Sequence, residues 1–400
     1  MKKILSLGLL LLTVFLLSGC SAAGRYDKRG EKNFLSGNYE EAAMNFSKAA
    51  EQNPNRADYY INNGMALSAL GRYEEAMAQF DHVIMDKDIP MVKENNKRAL
   101  RGKGITYYNR KKYEDAVSQF DAALEIGVLS ELDMDILYYK GNALMTMGNY
   151  TEAEEAFTGI IGTFGNDAKA LGSRAYTYRR TGEYEKSLAD YDLAVSLDKG
   201  CFEYYFGKYY VKMEMGDEAG AADVLSEAAA IEDVTKEDHY NLAKVHFYQG
   251  LYEQSLPEFG ESLAEGYTES YFYIGEIYGK QKDYSTAVYY YDKYIGEGEV
   301  TAPIVYNQIA SCKMKLGEYE DAARYLETGV GLDPAGRSRI LMKNRVVAYE
   351  NLGEFDTALQ MLKEYLAVFP EDDQAKREEE FLLTRQIDVN VENNDEIQER

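Results

Sequence analysis

Apolar residues in this chain return in a fixed three-point pattern. Ala42, Phe46 and Ala49 are spaced i, i+4, i+7, and so are Ala76, Phe80 and Val83, Ala116, Phe120 and Ala123, and Ala153, Phe157 and Ile160. That spacing puts all three on one face of an α-helix, with polar residues on the other. Each pattern is led by a glycine or basic residue and an aromatic, as in "GNYEEAAMNF" from Gly37 and "GRYEEAMAQF" from Gly71. The chain therefore spells one helical unit many times and predicts helices along nearly its whole length.

The repeat has a measurable period. Aligned on the small residue, the units fall at Ala42, Ala76, Ala116, Ala153, Ser187, Ala221, Ser255, Ala287, Ala322 and Ala358. Most steps lie close to 34 residues, which is the length of a helix–turn–helix unit. With the small residue numbered position 20, each recurring type has a physical task. Position 8 is Gly30, Gly64, Gly104, Gly141, Ala175, Ala243, Gly275 or Ala310 in eight units, small enough for two helices to approach closely. Position 15 is Gly in eight units, such as Gly71, Gly182 and Gly317, and predicts a left-handed cap. Position 17 is aromatic in nine, from Tyr39 to Phe355. Pro54, Pro334 and Pro370 at position 32 end a helix. Carboxylate pairs such as Glu40-Glu41 and Glu320-Asp321 open the second helix, where anions favour the helix N-terminus.

This combination resembles the tetratricopeptide repeat (TPR) family from about residue 24 to residue 371. The resemblance implies an all-α, right-handed α-solenoid of about ten hairpins over 25–371. One hairpin cannot bury its own apolar face, whereas stacked neighbours can. Two departures are expected to disturb the stack. The sixth unit has Glu218 in place of the aromatic and Tyr209 at position 8, and the longer step before Ala116 predicts an inserted loop near Asp86–Asn96 that includes Pro90. Residues 372–386, with Phe381, Leu382 and Leu383, predict a capping helix. Residues 387–400 are polar and acidic without periodicity and are expected to be disordered.

The first residues are a separate object. Met1-Lys2-Lys3 is a basic n-region and Ile4–Leu17 a short apolar h-region, the layout of a secretory signal. Leu17-Ser18-Gly19-Cys20 resembles the lipobox of bacterial lipoproteins. That resemblance implies a signal peptide over 1–19, lipidation of Cys20, a tether over 20–24, and a protein held by its lipid on the extracytoplasmic face of a cell membrane. Cys201 and Cys312 show no metal-ligand spacing and read as small buried side chains.

Composition narrows the partners. The chain has 400 residues, 46% of them hydrophobic, with 36 Tyr, no Trp and a formal net charge of −24. A core can be buried, but such a surface argues against nucleic acid and anionic lipid headgroups, which need clustered Lys and Arg. No phosphate-binding loop, dinucleotide fingerprint, HExxH or GxSxG is present, so nothing points to an enzyme or to a cofactor. His239 and His246 are i, i+7, but at positions where the family packs apolar side chains, so no metal site is expected.

The TPR resemblance implies a concave partner groove lined by positions 2, 5, 9, 12 and 13 of the first helices. Carried onto this chain, those positions give Tyr138 and Asn142 in the fourth unit, and Tyr176, Arg179 and Arg180 in the fifth. They give Phe206 and Tyr210 in the sixth, Tyr240, Lys244, Phe247 and Tyr248 in the seventh, and Phe272 and Glu276 in the eighth. The family's carboxylate clamp is not matched, because Tyr138 stands where a Lys is needed. An aromatic band with a few cations on an acidic protein reads as a recognition surface for an unknown protein or peptide. The function implied is a protein-interaction scaffold in envelope assembly or secretion. The alternative is a lipoprotein that stacks its Tyr side chains on cell-wall glycan.

Overall fold

The computed structural model describes residues 21–231, 235, 238–298, 302–333 and 338–398, with 386–398 described as backbone only. The leader over 1–19, Cys20 and Pro334 lie outside the described residues. The chain is all-α. Its helices are α1 (Ala22–Leu35), α2 (Tyr39–Gln52), α3 (Ala57–Ala69), α4 (Tyr73–Val83), α5 (Pro90–Asn109), α6 (Tyr113–Leu124), α7 (Asp133–Met147), α8 (Tyr150–Phe164), α9 (Ala168–Thr181), α10 (Tyr184–Leu197), α11 (Phe202–Glu214) and α12 (Glu218–Ala229). They continue as α13 (His239–Tyr248), α14 (Tyr252–Ala264), α15 (Ser270–Lys280), α16 (Tyr284–Gly298), α17 (Pro303–Lys315), α18 (Tyr319–Leu332), α19 (Arg339–Asn351), α20 (Phe355–Val368) and α21 (Asp373–Gln398). Every even-numbered helix begins at position 17 of the repeat, so the register read from the sequence is the register of the structure.

The chain forms two compact units, divided at Glu227 and Ala228. In the first, α1–α2, α3–α4, α5–α6, α7–α8 and α9–α10 are hairpins, and each second helix packs on the next first helix. The second unit follows the same order through α13–α14, α15–α16, α17–α18 and α19–α20, with α21 packed on α20.

The small residues set the helix spacing. A Cβ on Gly64 would lie 2.7 Å from the Phe80 ring, and one on Gly102 would lie 2.3 Å from the same ring. Phe80, fully buried, is thus gripped from its own hairpin by position 8 and from the next hairpin by position 6. In the irregular sixth unit the glycine stands at position 6: a Cβ on Gly207 would meet Tyr191 at 2.2 Å, while Tyr209 at position 8 is half-buried. Where position 20 is Ser, its buried hydroxyl is satisfied. Ser187 Oγ donates to the Ala175 carbonyl at 2.7 Å, and Ser255 Oγ to that of Ala243 at 2.9 Å.

Position 15 carries the turn. Gly71 and Gly182 have φ of +77° and +81°, and the two units without Gly hold Lys111 at +61° and Lys282 at +66° in the same left-handed region. The turn geometry is demanded by the hairpin, and the lysines adopt it at a cost of roughly 1–2 kcal/mol each.

Two expectations are corrected here. The insertion expected as a loop over Asp86–Asn96 is non-helical only over 84–89, and Pro90 is the first residue of α5. Proline suits that position because its missing N–H would be unpaired there anyway. Asn96 holds the loop, accepting from Met85 N at 3.0 Å and donating to Met85 O at 2.8 Å. Farther along α5, Lys97 is buried, donating to the Ile126 carbonyl at 3.0 Å and pairing with Asp133 at 2.5 Å. The last helix, expected over 372–386, runs to Gln398, so its backbone is helical where 387–400 was expected to be disordered. Its start is docked by buried Ala375 and Leu382, and a nucleated helix adds residues at little further cost.

Candidate partner-binding surface

In the first unit the inner-face positions gather around α9. The Arg179 guanidinium lies 5.3 Å from the centroids of both the Tyr176 and Tyr210 rings and pairs with Glu214 at 2.9 Å. A cation held between two ring faces and fixed by a carboxylate is a rigid feature. Arg180 is exposed and lies over Tyr150 instead, at 5.1 Å. Tyr138 donates its hydroxyl to Asp167, and Lys169 sits 4.7 Å over its ring. Burial, and then that Asp167 bond, push the Tyr138 phenol well above its usual range, so it stays a donor.

Two cavities open beside Tyr176. One of about 280 Å³ is lined by Tyr108, Asn142, Met145, Thr146 and Tyr176. The other, about 530 Å³ and largely apolar, is lined by Met145, Lys169, Gly172, Ser173, Tyr176, Tyr191, Cys201, Glu203 and Tyr204. Gly172, at position 5 of α9, is part of that lining, and the Tyr204 ring packs against it where a Cβ would lie, at 2.5 Å. Cys201 donates to Glu203 at 3.2 Å, and burial followed by that carboxylate pushes its thiol up to about 12. It is a wall of the cavity rather than a nucleophile.

In the second unit the same positions are packed with rings. Tyr240 stacks on Tyr267 at 5.6 Å and touches Tyr273 at 6.0 Å, with Lys244 over Tyr240 at 5.3 Å and over Tyr273 at 5.9 Å. Phe247 contacts Tyr248, Tyr252 and Tyr273, the last at 5.2 Å. Phe272 lies among Tyr273, Tyr291 and Tyr294. Glu276 accepts from the Tyr291 hydroxyl at 2.6 Å.

Two of the residues expected to be exposed are buried: Phe206 keeps 6% of its surface and Phe247 8%. Both lie on inner-face positions but belong to the core, Phe247 covered by the rings of Tyr248, Tyr252 and Tyr273. Tyr138, Tyr176, Arg179, Tyr210, Tyr240, Lys244, Tyr248 and Phe272 are partly exposed. The cavity residues Lys169, Gly172 and Glu203 were passed over, although they stand at positions 2, 5 and 2 of their units. Selecting for aromatic residues and Arg hid them, because none of the three is either. The two histidines of α13 have separate carboxylates, His246 with Glu258 at 2.7 Å and His239 with Glu265 at 3.3 Å.

Stacked helical hairpins that offer first-helix side chains as surface define a class of repeat protein. Tetratricopeptide repeat models match residues 34–88, 138–200, 240–299 and 304–335, together just over half of the chain. The chain belongs to the tetratricopeptide repeat family, whose members are in general interaction scaffolds rather than catalysts. It is similar to human tetratricopeptide repeat protein 6, 22% identical over 212 residues, which cover 52% of this chain and 40% of that protein. It is also similar to a TPR repeat-containing protein of Methanocaldococcus jannaschii, 24% identical over 350 residues, covering 80% of this chain and 59% of the other. The chain thus spans less than two thirds of the length of these curated relatives. Among solved structures it is similar to a tetratricopeptide repeat protein from Parabacteroides merdae, with a TM-score of 0.49, 17% identity, and coverage of 63% of this chain and 98% of that one.

Proposed function

We propose that the protein is a lipid-tethered scaffold on the extracytoplasmic face of a cell membrane, and that it holds a protein or peptide partner for envelope assembly or secretion. The observation behind the binding role is the α9 face, where Arg179 is fixed between Tyr176 and Tyr210 beside two open cavities. Aromatic and Arg side chains in such settings dominate binding energy at interfaces. The tether rests on Leu17-Ser18-Gly19-Cys20 after a basic and then an apolar segment. No described helix is long and apolar enough to cross a membrane.

Cys20→Ala separates the tether from the body. Without an acyl chain the acidic repeats have no attraction for anionic headgroups, so the variant should leave the membrane fraction while keeping its helical circular dichroism. Normal processing together with wild-type fractionation would refute the tether. For the binding role, crosslinking and purification from envelope extract should recover one protein with wild type and lose it with Tyr176→Ala. Co-sedimentation with purified cell wall, and no captured protein, would favour the glycan alternative.

A further inference from the structure

The larger cavity of the first unit has an ordered chemistry. Its floor is the buried Tyr191 and Tyr204 rings, and Met145 and Tyr176 line both it and the smaller, more polar cavity. Two opposite charges stand among its lining residues, Lys169 on α9 and Glu203 on α11, both on exposed residues. No ion pair joins them, and among the described residues no carboxylate pairs with Lys169, whose ammonium rests over the Tyr138 ring. The nearby Asp167 is already engaged, accepting from the Tyr138 hydroxyl and from Ala170 N at 2.8 Å. Among the described residues, Glu203 accepts only the weak Cys201 thiol donor. Each charge thus has capacity left for an incoming group, and the floor between them is apolar.

We infer that this cavity is the anchor subsite for an extended peptide carrying one large apolar side chain, with an acidic residue on the flank facing α9 and a basic residue on the flank facing α11. The inference rests on the scaffold reading above and names what such a partner must carry. A volume of about 530 Å³ lies within the usual range for ligand pockets and leaves room for one large side chain. The flanking charges add little affinity where they are exposed, but they fix direction, because the reversed peptide would set like charges together.

The test is a selection of random dodecapeptides displayed on phage against the immobilised full chain in detergent. Enriched sequences should share a Phe, Leu or Met with an acidic residue on one side and a basic residue on the other. Lys169→Glu should turn the acidic preference basic and leave the other flank unchanged, and Glu203→Lys should do the reverse. Both side chains are exposed, so neither reversal should disturb folding. Ser173→Phe, which fills the cavity, should weaken a fluorescein-labelled consensus peptide at least tenfold at unchanged helical circular dichroism. Enriched peptides without the apolar anchor, or flanks indifferent to both reversals, would overturn the subsite and leave the scaffold reading standing. No enrichment at all would overturn both.

Discussion

The first-helix faces of the two units use the same repeat positions for different ends. In the first unit, position 5 of the fifth repeat is Gly172 and the face opens into a cavity. In the second, position 5 of the seventh and eighth repeats is Tyr240 and Phe272, and their rings are packed by Tyr267, Tyr273, Tyr291 and Tyr294. The backbone plan is common to both. What differs is whether the side chains at the shared positions fill their own surroundings or leave room. An aromatic at a groove position is therefore not in itself a recognition residue. Where aromatic neighbours enclose it, as at Phe247, it is core.

The largest test of this contrast is Phe247→Ala. Truncating a ring this buried should cost about 3–5 kcal/mol. In a repeat protein the loss should stay near its origin, so hydrogen exchange should quicken in α13 to α15 well before it changes in α3 to α6. Tyr176→Ala, half-buried beside the cavities, should cost about 1 kcal/mol in the same measurement. Equal costs would erase the distinction between the two faces.

A smaller effect probes the plan that the units share. Lys111→Gly in the first unit and Lys282→Gly in the second should each stabilise the chain by about 1 kcal/mol in urea unfolding, since glycine adopts positive φ without a Cβ clash. The gain should be the same in both units because the turn is the same. A gain in one and a loss in the other would mean that one lysine side chain holds its hairpin through contacts of its own.

The smallest effect is a pH dependence with a source in each unit. Burial, and then Glu31, raise the Asp27 carboxyl to about 6 in the first. Burial, and then Glu378 of α21, raise Glu350 of α19 to about 7 in the second. A carboxyl raised on folding binds more protons in the native state. Its stabilisation is full below the unfolded value and is lost as pH rises through the folded one. Stability should therefore fall from about pH 4 to 6 through Asp27 and from about pH 4.5 to 7 through Glu350. Both groups are partly solvated, so the effect is modest. Glu350→Gln should flatten the upper part of the profile and leave the lower part. An unchanged profile would remove the α19–α21 contact as its source.

Much of the molecule was legible in the chain. The i, i+4, i+7 pattern, the position 15 glycines and the position 17 aromatics set most hairpins, and the repeat register carries the units that lack one of them, at Lys111, Glu218 and Lys282, because these are local rules enforced by neighbours in sequence. The carboxylate pairs likewise fall in first helical turns, as at Glu74-Glu75 and Glu114-Asp115. The extent of α5 was less legible, since Pro90 is equally at home in a loop and at a helix start.

Which inner-face residues are available to a partner was decided only by tertiary structure. Phe247 and Tyr176 occupy inner-face positions 12 and 9, and nothing local separates them. One is enclosed by rings contributed from α13, α14 and α15, and the other lines a cavity walled from α7 and α11. Periodicity tells which way a side chain points, because that depends on the turn of its own helix. Whether anything stands in front of it depends on side-chain volumes from residues dozens of positions away, and those are summed only when the helices pack.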